Sequence, residues 1–286
     1  MTIFATHRVF LHLLPESDIM KIKHFLSIAT VLAAMATPFL ATAADADGKL
    51  ELLTPGKLSV ATEGTDPPFS MRSANGQLDG LEIRVMKEVA RRLHLEYVPV
   101  ITKWDSILVG LQANQFDMSS AAMDITPARQ KAIVFSDGWI ESGGRIIIPP
   151  KSDIKSAKDL KGKRIGAQVS STYAQLAIDH GATLKNYIDV TAAVQDLANG
   201  NIDGVINDSI GNAYLIKDMH LPLTQTPDYV SVIQKGFAFK KGKPNLVAAV
   251  NKALADMKAD GTYAKLVTPI VGFDPAPKDP VRTLPQ

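Results

Sequence analysis

The chain has no cysteine among its 286 residues, so neither a disulfide nor a thiol site can form. A lipid-modified cysteine at an export junction is excluded as well. Charge excess is also missing, with 31 Lys and Arg against 29 Asp and Glu for a net +2. Without a basic block or a regularly spaced aromatic stripe, the electrostatic footprint of a nucleic-acid binder is absent. Catalytic signatures are scarce. His180 and His220 stand alone, without a second histidine at metal-ligand spacing, and read as solvated or capping residues. No G-x-S-x-G surrounds a serine and no G-x-x-x-x-G-K-S/T loop occurs, which speaks against a hydrolase of that type and a P-loop nucleotide site. Acidic residues abound, but any two can be imagined as acid and base, so they specify no reaction. No metal and no cofactor is expected.

What is present is an ordinary globular composition, 46% hydrophobic and 21% charged, enough for one large domain or two smaller ones. Lys21 and Lys23 precede an apolar run from Phe25 and the small-residue stretch "ATA" at 41–43. That order predicts a secretory signal peptide over 1–43 with Met20 as the true start. Pro38 interrupts the apolar run and "ADADGK" follows it, so a permanent span is the weaker reading. A soluble protein released into a periplasm is expected.

From Lys57 short β-branched runs alternate with amphipathic segments. "KLSVAT" reads as a strand, and "GLEIRVMKEVARRLH" as a helix with Leu81, Val85, Val89 and Leu93 on one face. "LEYVPV" follows as a strand, "WDSILVGLQANQ" as a helix and "FDMSSAAM" as a strand. The alternation predicts an α/β fold with largely parallel sheets and a ligand site beyond the strands' carboxyl ends. It restarts at "KSAKDLKGKRIGAQ". Two stretches, "GWIESGGRIIIPPKSD" and "YVSVIQKGFAFKKGKP", read as crossings between two lobes. The expected organisation is 44–140 plus 235–286 for lobe 1 and 141–234 for lobe 2, with a cleft between. The Pro-rich tail 273–286 is expected to be extended or disordered.

Several blocks occur in an order that resembles the extracellular solute-binding proteins of family 3, the polar amino-acid receptors of ABC importers. They are "EGTDPPFSM", "GLEIRVMKEVARRL", "WDSILVGLQANQFDMSSAAMDITPARQKAIVFSDGW", "LKGKRIGAQVSSTYAQ" and "GNIDGVINDS". Arg84 stands where the family usually carries an acid. The resemblance implies a type II-like periplasmic-binding-protein fold, two α/β lobes joined by two crossing strands. It also implies a small-molecule ligand, permease subunits as partners, no nucleic acid, and a monomer that is not an enzyme.

By the same resemblance, Arg129 after the T-P-A turn grips the ligand's carboxylate, and a guanidinium fork suits that planar group. The start of a helix there would add free backbone donors. The alternative is a surface ion pair. Asp208 would hold the ligand's ammonium, or else cap the helix after it. Ser171 and Thr172 would contact the carboxylate, cap a helix, or do both. Trp104 would stack on the ligand or fill the core. Phe69 would fix the first loop, and Ala122 lines the expected pocket. Glu63, Asp66 and Asp124 add acidity that must meet cations of ligand or protein, with Lys103, Arg145 or Arg129 as candidate partners. This leans towards cationic amino acids or opines. The second reading is a periplasmic dehydratase of the cyclohexadienyl or arogenate kind, with Glu63, Asp66 or Asp124 as general acid.

Overall fold

The computed structural model describes residues 48–282. The expected signal peptide, the start at Met20 and the last four residues of the tail lie outside the described residues.

The chain builds one mixed sheet, crosses to a second, and returns to the first. The opening part contains β1 (Lys57–Thr62), β2 (Met71–Arg72), β3 (Leu78–Asp79), α1 (Leu81–Arg92), β4 (Glu96–Ile101), α2 (Ile107–Gln112), β5 (Met118–Asp124), α3 (Pro127–Gln130), β6 (Ile133–Phe135) and β7 (Ile140–Ser142). The second part contains β8 (Gly144–Ile148), β9 (Arg164–Gln168), α4 (Thr172–Asp179), β10 (Thr183–Tyr187), α5 (Val190–Ala198), β11 (Gly204–Asp208), α6 (Ser209–Asp218) and β12 (Thr224–Gln225). The return brings β13 (Ile233–Lys240), α7 (Pro244–Ala259) and α8 (Thr262–Val271).

Strand order is β4-β1-β5-β13-β6 in the first sheet, with β7 also on β13, and β10-β9-β11-β8-β12 in the second. The expected parallel pairing holds for three strands of each sheet: β4, β1 and β5 run parallel, as do β10, β9 and β11. β13, β8 and β12 pair antiparallel with their neighbours. A parallel neighbour requires a crossover connection, which α1, α2, α4 and α5 provide; β8 and β13 instead arrive from the other sheet.

The helix expected at 80–94 forms over Leu81–Arg92 and buries Leu81, Val85 and Val89, as their spacing predicts. These residues join Leu58, Val60, Phe237, Phe239, Leu246 and Val250 in the largest core. The helix expected over 104–115 is shorter. It opens with a tight turn at Trp104–Ser106 and stops at Gln112, two residues before Asn114 adopts a left-handed φ of 54°.

The described part of the tail is extended and held against the first sheet. Val281 accepts from the Gly138 N–H at 3.0 Å and Pro275 from the Glu141 N–H at 2.9 Å. Arg282 pairs with Asp137 at 2.7 Å.

The outward crossing runs through Gly143, since β7 belongs to the first sheet and β8 to the second; the return lies between Gln225 and Ile233. The two crossings touch backbone to backbone, for a Cβ on Gly143 would lie 1.8 Å from the Ser231 carbonyl oxygen. Gly143→Ala is therefore expected to destabilise the protein by about 1–3 kcal/mol, the usual cost of forcing extra volume into a packed site. A denaturant melt with an unchanged midpoint would show that the crossings separate freely.

Candidate functional site

Parallel strands in each sheet present their carboxyl ends to the same place. β1 ends at Thr62 and leads into Glu63–Asp66, β5 ends at Asp124, β9 at Gln168 and β11 at Asp208. All ten residues singled out in the sequence line one cavity there: Glu63, Asp66, Phe69, Trp104, Ala122, Asp124, Arg129, Ser171, Thr172 and Asp208. Sequence reasoning missed Gln168, Tyr173, Asn207 and Lys235 on the same wall. The cavity is narrow, about 30 Å³, room for one or two waters. An amino acid enters only if side chains swing or the sheets part.

Lys235 organises the charges. Its side chain is 2% exposed, and its ammonium lies 2.7 Å from Asp124 of the first sheet and 3.1 Å from Asp208 of the second. It also donates to the Tyr173 hydroxyl at 3.2 Å. The sheet register places it, because Lys235 lies opposite Asp124 where β13 pairs with β5. The cation that answers Asp124 is thus none of the three expected. Lys103 is exposed and absent from the cavity wall. Arg145 stacks on Tyr229, 4.1 Å from its ring centroid, beside a different cavity. Arg129 touches Asp124 only through the backbone, its Nη1 donating to that carbonyl at 3.1 Å.

Arg129 sits 5.2 Å from the Trp104 ring centroid and has no carboxylate partner among the described residues. Burial lowers its pKa, with Asp124 opposing. The expected helix start gives it little, since α3 has four residues and Thr126 already accepts the Arg129 N–H.

Asp208 caps α6, its Oδ1 accepting from the Ile210 N–H at 2.9 Å. Its Oδ2 takes the Ser142 hydroxyl, the Tyr173 hydroxyl at 3.2 Å and Lys235. Ser171 caps α4 by accepting from the Ala174 N–H at 3.0 Å. The Thr172 hydroxyl reaches across to the Asp124 carboxylate. Trp104 is half-buried and packs beside Ile107 and Phe116 while facing the cavity; Phe69 is a core residue that also faces it.

Three further carboxyls lie together. Burial, reinforced by Asp66, pushes Glu63 up to about 9, although Gln168 donates to it at 2.7 Å. Burial with the nearby Glu82 and Asp208 pushes Asp66 up to about 8. Glu82, fully buried on α1, rises to about 7 through burial, moderated by hydroxyl donors such as Thr62 and Ser120.

Of the missed residues, Lys235 carried a readable signal: in "IQKGFAF" it occupies the same alternating face as Phe237 and Phe239. Gln168 closes its strand, Asn207 is the last but one residue of its strand and Tyr173 adjoins Thr172, positions that carry no separate mark.

Residues 58–272 match the family described as bacterial extracellular solute-binding proteins, family 3. The chain belongs to this family. The L-cystine-binding protein TcyJ of Escherichia coli (strain K12) is 33% identical over 223 residues, covering 77% of this chain and 84% of that protein. An ancestral arginine-binding protein bound to glutamine superposes with a TM-score of 0.73 at 34% identity, covering 77% of this chain and all of that one. An ancestral amino-acid-binding protein that is a precursor of cyclohexadienyl dehydratase gives 0.71 at 32%, over 76% of this chain and 96% of that one. The solute-binding protein therefore shares the two-lobed α/β architecture of these structures.

The raised carboxyls set a direction for stability. In the folded solute-binding protein Glu63 and Asp66 keep protons that the unfolded chain releases near pH 4, so stability is lost as pH rises towards about 8 to 9. Glu63→Gln keeps the shape and removes one titration. Its melting temperature is expected to exceed that of the parent at pH 8, by roughly 2–5 °C, with little difference at pH 4. Equal shifts at both values would contradict the assignment.

Proposed function

We propose that the protein is the periplasmic receptor of an ABC importer for an amino-acid-like solute that carries a second, cationic group, such as a basic amino acid or an opine. The observation that carries this reading is Arg129, a guanidinium on the cavity wall that pairs with no carboxylate among the described residues. Asp124 acts on Arg129 through its charge, but its carboxylate pairs with Lys235. The fork thus stays available for a ligand carboxylate, while Trp104 covers the ligand's stem. Glu63 and Asp66 would receive the distal cation. The binding specificities of the relatives, cystine for one and arginine for another, fit a polar amino-acid-like solute.

In this reading residues 48–142 with 233–282 form one lobe and 144–226 the other, closing on the ligand as a monomer and docking on permease subunits. The leader over 1–43 is cleaved on export. The dehydratase reading gains nothing from Asp124, whose carboxylate is committed to Lys235 and Thr172.

Calorimetry with amino acids, opines, prephenate and arogenate, with turnover monitored, tests the proposal. Arg129→Ala is expected to weaken ligand binding by about 100-fold while leaving the melting temperature of the ligand-free protein nearly unchanged, as for truncation of a desolvated charge pair. Near-normal affinity, or product formation, would refute it. A cationic ligand must displace the protons of Glu63 and Asp66, so its affinity is expected to rise from pH 6 to pH 9. A neutral amino acid is expected to show no such rise. Equal pH dependence for both would exclude the two carboxyls as the cation's partners.

A further inference from the structure

We propose that Lys235 is the cleft's own ammonium, so that the ligand's α-nitrogen is not read and specificity rests on its carboxylate and a distal cation. The proposal rests on the receptor reading above and narrows its ligand to carboxylic acids with a remote positive charge, including those whose α-amino group is substituted or missing.

The argument is one of donors and acceptors. An ammonium has three protons. Lys235 donates to Asp124 at 2.7 Å and to the Tyr173 hydroxyl at 3.2 Å, and its ammonium forms an ion pair with Asp208 at 3.1 Å. The two carboxylates are equally committed. Asp208 also holds the Ile210 N–H and the hydroxyls of Ser142 and Tyr173. Asp124 also holds Thr172. A ligand ammonium seeking Asp208 must compete with Lys235, leaving a cation that is 2% exposed with one of its two carboxylate partners, Asp124, in place of both. Breaking a buried pair by removing one member is strongly unfavourable. Eviction is also resisted by register, since β13 holds the Lys235 backbone against Asp124. The rings of Phe69 and Tyr173 lie 5.9 and 5.7 Å from its ammonium.

The uncommitted groups lie elsewhere on the wall. Arg129 retains donors for a carboxylate. Glu63 has Gln168 as its side-chain partner, and Asp66 accepts from no side chain among the described residues. Asn207 faces the cavity with a buried, unpartnered amide nitrogen, a donor suited to a neutral acceptor on the ligand rather than to an ammonium. The protein thus pairs Asp124 and Asp208 from within and leaves Arg129 and two carboxyls of the same cavity wall for the ligand.

The test is calorimetry with matched pairs on the full protein: L-arginine with Nα-acetyl-L-arginine and with 5-guanidinopentanoate, and L-lysine with 6-aminohexanoate. Removing or masking the α-ammonium is expected to change the affinity of the parent protein by less than about threefold, against the 10-fold or more that losing a charged hydrogen bond brings. Lys235→Met keeps the stem and deletes the charge, which frees Asp208. In that variant the α-ammonium is expected to matter, with the amino acid bound at least about tenfold more tightly than its deaminated analogue. A parent that loses more than tenfold with the analogues overturns the proposal while leaving the receptor reading intact. So does a variant whose ratio equals the parent's. If Lys235→Met does not fold, the parent ratios decide alone. If no member of any pair binds, this proposal and the cationic-ligand reading both fail.

Discussion

A lysine ammonium with almost no contact with water needs neutralising partners, and in this protein they come from two sheets. Asp124 ends a strand of the first, Asp208 ends a strand of the second, and Lys235 lies on the strand that returns between them. Removing a charge from water is costly unless both opposite charge and hydrogen bonds are supplied. Tyr173, Thr172 and Ser142 complete the supply for the carboxylates and the ammonium. The result is a cross-sheet knot that positions the walls of the cavity and removes two acids from the set available to a ligand.

The remaining electrostatics follow from that knot. With Asp124 occupied, Arg129 is left with a carbonyl and an indole ring, a fork suited to an incoming anion. With no ion pair to Glu63 or Asp66 among the described residues, burial holds both largely protonated near neutrality, although Lys235 opposes this at Asp66. The cavity therefore presents one committed centre, a guanidinium, and two protonated carboxyls that an incoming cation can ionise. That contrast gives a physical basis for choosing a ligand with an anionic and a cationic end.

Much of this was legible in the chain. The alternation of β-branched and amphipathic segments gave the strands and helices, and strand ends in an α/β fold are where ligand sites lie. Arg129, Asp124, Asp208, Ser171 and Thr172 each stand at or just past such an end, which is why the ten candidates that the resemblance implied fall on one cavity. The helix over 104–115 was overextended because no Gly or Pro marks a stop between Gln112 and Gln115, while the backbone at Asn114 turns left-handed. The parallel sheets were overstated because a strand's direction depends on whether it arrives through a crossover helix or from the other sheet.

The sequence by itself determined the order of elements, the family, and which polar residues close each strand, since those properties depend on neighbours within a few positions. It could not determine which charges pair. Lys235 is 111 residues from Asp124, and Thr172 is 48. The energy of such pairs depends on separation in space and on local burial, and both came into being only when β13 returned beside β5. Tertiary structure alone decided that Asp124 faces the protein's own lysine and that Arg129 does not.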